Sequence, residues 1–276
     1  MWESLIARSP KVIEPHFKVG EYVHVPPKRN ILNSLIDGDP RANTTSSNWS
    51  GAVQTPPPAG QTFCFVSAKW IVPAAYPPQS AKTATGWTPG TYWEYSWVGL
   101  DGYFNSPPVV FQTGTASVVT VNDDGVISST EYFGWHEWYP AGPVIYQGFP
   151  VNPGDLVSAF VLGNAGDNKG DVCLTNITQN VSTGLIQLTA PPGVVILGID
   201  AEWITEDPSG TFFPNYGAEF FFDCIAQSHS PDGSKVTTFN LSGATLVNAV
   251  QGSVTVSTAV EENPESLLTY AYNDGP

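Results

Sequence analysis

The stretch "ASVVTVNDDGVISSTEYFGW" (residues 116–135) predicts the fold of this chain. It contains two runs of Val, Ile, Thr and aromatic residues on either side of Asp124-Gly125, a dipeptide typical of tight hairpin turns. Successive residues of a strand face opposite sides, so each run presents one half-apolar face that must be covered. We therefore expect a long antiparallel hairpin inside a larger β structure.

The rest of the chain repeats this pattern. "VCLTNITQNVSTGLIQLT" (172–189) reads as a second pair of strands, and 230–260 continues the theme. With 25 Pro and 26 Gly among 276 residues, long helices are disfavoured. Such a number of half-apolar strands is best covered in an all-β fold. We predict an antiparallel β-sandwich of the jelly-roll or concanavalin-like kind, preceded by a short N-terminal segment.

Charge divides the chain into two parts. The whole carries 25 acidic and 10 basic residues, but residues 1–41 contain six of the basic and five of the acidic ones, which leaves −16 on the remaining 235 residues. A surface this acidic repels nucleic acid, and its self-repulsion falls when acid protonates the carboxylates. The composition excludes nucleic-acid partners and favours work in an acidic medium.

The leading part also differs in pattern. Helical spacing of the apolar residues at 31–36 is stopped by "DGDP" (37–40), and a polar linker, "RANTTSSN" (41–48), follows. No run reaches transmembrane length, and the first residues lack the features of a signal peptide. Five Asn-x-Ser/Thr sequons are compatible with secretion. Three cysteines permit at most one internal disulfide.

Strand alternation collects acidic and amide groups beside aromatic ones. Glu137 shares a face with Trp135 and Tyr139, Asp101 shares one with Trp97, and Glu202 shares one with Glu206. Gln112 lies in another strand-like run. This pattern is typical of a cleft lined by aromatic and carboxyl groups rather than of a sealed core.

Several familiar sites are excluded. "HEWYP" (136–140) has Pro140 where a zinc peptidase motif needs its second histidine, and there is no GxSxG sequence or glycine-rich phosphate loop. Carboxylate chemistry remains, because a carboxyl beside apolar rings can hold a proton or act as a base in acid.

Three functions stay open on these residues alone. One carboxylate with a neutral amide donor suits water attack on a carbonyl, as in a peptidase. Paired carboxylates suit a jelly-roll glycoside hydrolase that uses Glu131 with Glu137, or Glu202 with Glu206. The aromatic residues alone would suit a non-catalytic carbohydrate-binding sandwich. Gln112 discriminates between these functions, because only the peptidase requires it.

Six motifs then favour one family. They occur in a fixed order from about residue 46 to the C-terminus and resemble the glutamic peptidases, or eqolisins: "SNWSGAV" (47–53), "WVGLDG" (97–102), "VVFQTGT" (109–115), "GWHEWYP" (134–140), "VNPGDLVSAFV" (151–161) and "AEWITEDPS" (201–209). The resemblance implies an acid endopeptidase that is insensitive to pepstatin and needs no metal or other cofactor. It also implies secretion, polypeptide substrates and, we expect, a monomer without membrane contact.

The resemblance assigns roles position by position. Gln112 is the expected oxyanion stabiliser, and Glu206 is the expected general base and acid. Residues expected to line or support the cleft are Trp49, Trp97, Asp101, Trp135, Glu137 and Tyr139. Residues 1–45 resemble an inhibitory propeptide with its linker, and residues 46–276 the catalytic domain of a zymogen.

The match has departures. Ala116 stands four residues after Gln112, where the family commonly has an acid, and the cysteines do not follow the usual disulfide set. Trp138 and Trp203 fall on the faces opposite to the expected site, so we predict that they belong to the core. We expect His136 to be structural or exposed.

Overall fold

A computed structural model describes residues 10–13, 16–19, 44–103, 108–210 and 212–271. In these ranges nineteen strands and a short 3-10 helix at Gln79–Ala81 are present. The strands are β1 Lys11–Val12, β2 His16–Val19, β3 Thr44–Ser46, β4 Trp49–Gln54, β5 Thr62–Ile71, β6 Gly90–Leu100, β7 Val110–Val121, β8 Ile127–Tyr139, β9 Val144–Gln147, β10 Leu156–Leu162, β11 Lys169–Asn176, β12 Val181–Ser182, β13 Ile186–Thr189, β14 Ala201–Glu206, β15 Ala218–His229, β16 Val236–Phe239, β17 Thr245–Gln251, β18 Val254–Asn263 and β19 Ser266–Ala271.

The strands form one hydrogen-bonded sheet that folds over into two layers. The first layer, called the site sheet below, runs β9–β8–β7–β6–β14–β4–β17. The hairpin β18–β19 leads to the second layer, the back sheet, which runs β15–β5–β10–β11. Strands β5 and β10 pack against β6. The predicted antiparallel sandwich is confirmed; among the described strands, parallel pairing occurs only where β1 meets β12 and β3 meets β17.

The main core fills the space between the two layers. Phe111 stacks on Trp138 at 4.2 Å between ring centroids on the site sheet, and Trp70 meets Phe221 at 5.6 Å on the back sheet. Trp203 is fully buried in the same core. Trp138 and Trp203 are therefore core residues, as their strand faces predicted. Burial of a large aromatic side chain stabilises the fold by roughly 1.5–3 kcal/mol relative to exposure.

The hairpin predicted at residues 116–135 is present in the structure. Strands β7 and β8 pair along almost their whole length around a turn at residues 122–126. Gly125 has a φ of 76°, a conformation that glycine adopts without the steric cost of a Cβ. The Asn122 side chain accepts hydrogen bonds from the backbone of Asp124 and Val126, which closes the turn.

Three further expectations concern the N-terminal segment, the cysteines and membrane-spanning helices. The helix expected at residues 31–36 and the polar linker up to residue 43 lie outside the described residues. Cys64, Cys173 and Cys224 are all free thiols, so the single disulfide that the sequence permits does not form. In the described part of the chain, no helix is both long and apolar enough to cross a membrane.

Candidate active site

The outer face of the site sheet, which points away from the main core, carries the expected site residues in three rows. Because paired residues of neighbouring strands share a face, the register fixes each row across β14, β6, β7 and β8. The first row is Glu202, Gly99, Gln112 and Glu137; the second is Ile204, Trp97, Gly114 and Trp135; the third is Glu206, Tyr95, Ala116 and Phe133. Gln112 and Glu206 thus project from one face, with strand β6 between them.

Two glycines on this face stand where there is no room for a side chain, and at Gly114 an added Cβ would clash with the backbone oxygen of Ser96. Gly114 lies between Trp97 and Trp135 in the second row. At Gly99, an added Cβ would lie 2.8 Å from Cζ3 of Trp97 and 3.2 Å from Cβ of Gln112. The Trp97 ring therefore lies over Gly99, beside Gln112. A side chain at position 99 would displace it.

The same Trp97 indole reaches Glu206. Its Nε1–H donates to Oε2 of Glu206 at 2.9 Å, and the Asn48 side-chain amide donates to Oε1 at 3.2 Å. Asn48 is itself fixed by the Ser46 hydroxyl, which donates to its Oδ1 at 2.9 Å. Each carboxylate oxygen of Glu206 thus has its own donor, and these two bonds set the orientation of the carboxylate.

Gln112 is oriented by Glu137 on the neighbouring strand. Nε2 of Gln112 donates to Oε2 of Glu137 at 2.6 Å. A carboxylate only accepts hydrogen bonds, so this contact fixes which end of the amide is nitrogen. Oε1 of Gln112 accepts no hydrogen bond from the described residues. Glu137 therefore serves as an orienting acid for Gln112.

Aromatic side chains surround these groups. Trp49 meets Trp97 edge to face at 4.9 Å, and Tyr95 lies 4.9 Å from Trp135. Tyr139 is partly buried and packs against the same cluster. Gln112, Glu137 and Glu206 are each 0 % exposed, although they lie on the outer face of a sheet. The reactive groups of the site are therefore buried.

Asp101 lies at the edge of the site in a second group of acids. Its carboxylate accepts backbone hydrogen bonds from Leu197 at 2.7 Å and Ile199 at 2.9 Å, and so anchors the loop before β14. Burial and, second, the nearby Asp200 raise the pKa of Asp101 to about 7. Burial raises the pKa of Glu202 well above its usual range, and Asp200 and Asp101 add to this. Glu202 is thus favoured in its neutral, protonated form.

The sequence prediction missed one residue of the site, Asn48, whereas His136 is a structural residue, one of the two roles expected for it. Asn48 had not been singled out as a ligand of Glu206, although it lies inside the "SNWSGAV" motif next to Trp49. His136 lies on the inner face, 5.1 Å from the Tyr146 ring, and is 6 % exposed. Burial lowers the pKa of His136 to about 4, so it stays neutral over most of the acid range.

The fold and the site together define a class of protein: a two-layered β-sandwich whose outer face holds one oriented carboxylate and one oriented amide among indoles. Residues 47–272 match the Peptidase A4 family, and the chain belongs to that family. It is a glutamic endopeptidase, a hydrolase of the acid peptidase type.

Solved structures agree on the fold. Scytalido-glutamic peptidase, solved with a transition-state analogue inhibitor, is 23 % identical with a TM-score of 0.60 and covers 82 % of this chain and 98 % of its own. Aspergilloglutamic peptidase from Aspergillus niger is 22 % identical with a TM-score of 0.52 and covers 66 % of this chain and 99 % of its own. A search of curated proteins gave no significant match.

Proposed function

We propose that this acid endopeptidase uses Glu206 as general base and then general acid, and Gln112 as the donor that stabilises the oxyanion. One observation carries the proposal: Trp97 links the two groups on a single face. Its indole donates to Glu206 while its ring lies beside Gln112 over Gly99. A peptide carbonyl held on this face has a base on one side and an amide donor on the other.

The chemistry follows from these groups. Glu206 takes a proton from a water molecule, whose oxygen forms a bond with the carbonyl carbon of the peptide. The carbonyl oxygen becomes an oxyanion, and an amide N–H of Gln112 stabilises it. When the C–N bond breaks, the proton held by Glu206 passes to the departing amine. Water is consumed, and one acid and one amine are formed.

Glu137 makes the amide effective. The side-chain nitrogen of Gln112 carries two hydrogens, and the Glu137 carboxylate accepts one of them. The other hydrogen is available for the substrate oxygen, in an orientation that is fixed before the substrate binds. Such preorganisation costs no rearrangement at the moment of reaction.

The function is tested by offering the mature enzyme alternative substrates. We expect hydrolysis of acid-denatured haemoglobin or casein in acid, with new N-termini, insensitivity to pepstatin and no sugar released from β-glucans. Sugar release without new N-termini would assign the acids to the glycoside hydrolase instead. Binding of glucans without turnover of either substrate would favour the carbohydrate-binding alternative.

We also propose that the chain is a zymogen made for secretion, with residues 1–45 as an inhibitory segment and residues 46–276 as the catalytic domain. Strand β2 supports this, because His16–Val19 pairs with β9, which itself pairs with β8 beside Trp135. The leading segment thus extends the sheet that carries the site. The −16 charge beyond residue 41 also supports the proposal, because it attracts a segment that carries six basic residues.

The zymogen proposal predicts release by acid. Protonation of carboxylates weakens the attraction between the basic segment and the acidic domain, and we expect cleavage within about residues 37–48, the linker. N-terminal sequencing after a shift to acid measures this. Full activity with residues 1–45 still attached would contradict the inhibitory role.

A further inference from the structure

Two buried glutamates lie between the two layers beneath the proposed site, one on the inner face of the site sheet and one on the back sheet. Glu94 belongs to β6 and is 0 % exposed; Glu219 belongs to β15 and is 1 % exposed. Neither belongs to the motifs that assigned the catalytic roles. Burying one ionised carboxylate is costly, and burying two side by side is more so. The pair therefore needs a compensating arrangement.

Hydroxyl groups supply part of this arrangement. The Ser96 hydroxyl donates to Oε1 of Glu94, and the Thr205 hydroxyl donates to Oε2 of Glu219 at 2.7 Å. Thr205 also shares a hydrogen bond of 2.8 Å with Thr269. The second oxygens, Oε2 of Glu94 and Oε1 of Glu219, accept no hydrogen bond from the described residues. One oxygen of each carboxyl therefore has no hydrogen-bond donor among the described residues.

The hydroxyl protons do not suffice for two carboxylates. Ser96 interacts with both Glu94 and Glu219, yet a hydroxyl has only one proton to donate. Ser117 also interacts with Glu94, but its proton goes to the backbone oxygen of Pro73 at 2.9 Å. A proton on one of the two carboxyls would supply the donor that these hydroxyls lack.

The surroundings supply no compensating charge among the described residues. The titratable groups that act on the pair are Tyr132 of β8 and Tyr216, which precedes β15. Strands β7, β14 and β19 contribute only the hydroxyls of Ser117, Thr205 and Thr269. When no cation is near, two neighbouring buried carboxyls are most stable with at least one of them protonated.

The pair is connected to the proposed catalytic groups through the backbone. Ser96 and Thr205 are directly paired across β6 and β14, and each precedes a site residue, Trp97 and Glu206. We propose that Glu94 and Glu219 form a proton-sharing pair that positions Glu206 and Trp97 by holding these two strands together, and that loss of the shared proton releases the site. The positioning role rests on the proposed function of Glu206; the proton-sharing itself does not.

The direction of the pH effect follows from the burial. Burial raises the pKa of both carboxyls, and the charge of Glu219 raises the pKa of Glu94 further. The folded state then binds more protons than the unfolded state above the ordinary glutamate pKa of about 4.3. The stabilisation is complete below that pH and is lost as the pH rises through the raised values. The fold is thus expected to be stable in acid and labile near neutrality.

The test uses the full chain with Glu94→Gln and Glu219→Gln, which keep shape and a hydrogen-bond donor but cannot ionise. The control is Glu262→Gln, an exposed position on β18. We expect the Tm of the wild type and the control to fall between about pH 4 and about pH 7.5, and each pair variant to show a smaller fall; Asp101 and Glu202, whose pKa values are also raised, contribute the rest. Infrared titration of the wild type should show a protonated carboxyl persisting above about pH 5 that both variants reduce.

Activity supplies the second readout. At about pH 4 the pair variants should keep kcat and KM within roughly threefold, while the upper limb of their pH profile moves up by about one unit. Unchanged Tm profiles of the two variants would overturn the proposal. If neither variant folds, the absence of any persistent protonated carboxyl in the wild type would still overturn it. Flattened Tm profiles with an unmoved activity profile would overturn the positioning role alone. If Glu206 proves not to be the general base, the Tm prediction still stands, because it depends only on the ionisation of Glu94 and Glu219.

Discussion

The two faces of strands β6 and β14 use the same residue types for opposite purposes. On the outer face, Glu206 has an N–H donor for each oxygen, and Gln112 is tied to Glu137. On the inner side, Glu94 of β6 and Glu219 of the facing strand β15 accept hydrogen bonds from hydroxyls, and one oxygen of each accepts none from the described residues. Both sets are buried, so burial alone does not make an acid catalytic.

The difference lies in the donors. Indole and amide N–H groups donate but do not accept, so they favour a carboxylate ready to take a proton. Hydroxyls both donate and accept, so they are compatible with a carboxyl that keeps its proton. The surroundings of Glu206 therefore suit chemistry, and the surroundings of Glu94 and Glu219 suit acid-dependent stability. This division predicts that substitutions on the outer face reduce turnover while the protein stays folded.

Glu206→Gln should have the largest effect. It removes both the base and the later acid while keeping the shape, and general acid–base groups contribute about 10²–10⁴-fold. We expect kcat on a peptide substrate in acid to fall by that factor with an almost unchanged Tm. Glu262→Gln is the matched control. Near-wild-type turnover of Glu206→Gln would show that Glu206 is not the general base.

Gln112→Ala should come next. It deletes the proposed oxyanion donor, and one such donor is worth about 10²–10³-fold in kcat. KM should change little, because the oxyanion exists only after attack. Steady-state kinetics with circular dichroism to confirm folding measures this. An almost silent substitution would point to a glycosidase that uses Glu131 and Glu137, or Glu202 and Glu206.

Gly99→Ala tests the role of Trp97 in positioning Gln112 and Glu206. The new methyl group would meet the indole at 2.8 Å, and the ring must shift from its position beside Gln112 and its bond to Glu206. Misplacement of a catalytic group by about 1 Å can cost up to about 10²-fold, so we expect a fall in kcat of about 10–10²-fold. Tryptophan fluorescence should report the shift. Unchanged kinetics with a shifted spectrum would contradict the link through Trp97.

Glu137→Gln should have the smallest effect. A glutamine can still accept the hydrogen bond from Gln112, although more weakly because its oxygen is not charged. We expect measurable turnover, reduced by about 10-fold or less, with a changed pH profile. If Glu137→Gln is more damaging than Glu206→Gln, the roles of the two acids must be exchanged.

Sequence patterns predicted much of this molecule. Alternation in β7 and β8 placed Gln112 and Glu137 on definite faces, and the same rule put Trp138 and Trp203 into the core, because a strand has a period of two residues. The order of the motifs identified the family. These features are local or one-dimensional, so a single sequence contains them.

Tertiary structure decided which side chains meet. The bond from Asn48 to Glu206 joins residues 158 positions apart, and Thr205 meets Glu219 across the two layers. No periodicity reveals such contacts, because they depend on strand register and on how the sheet folds over itself. Sequence supplied a set of acids with defined faces; only the packing separated the carboxylate with two N–H donors from the pair that must share a proton.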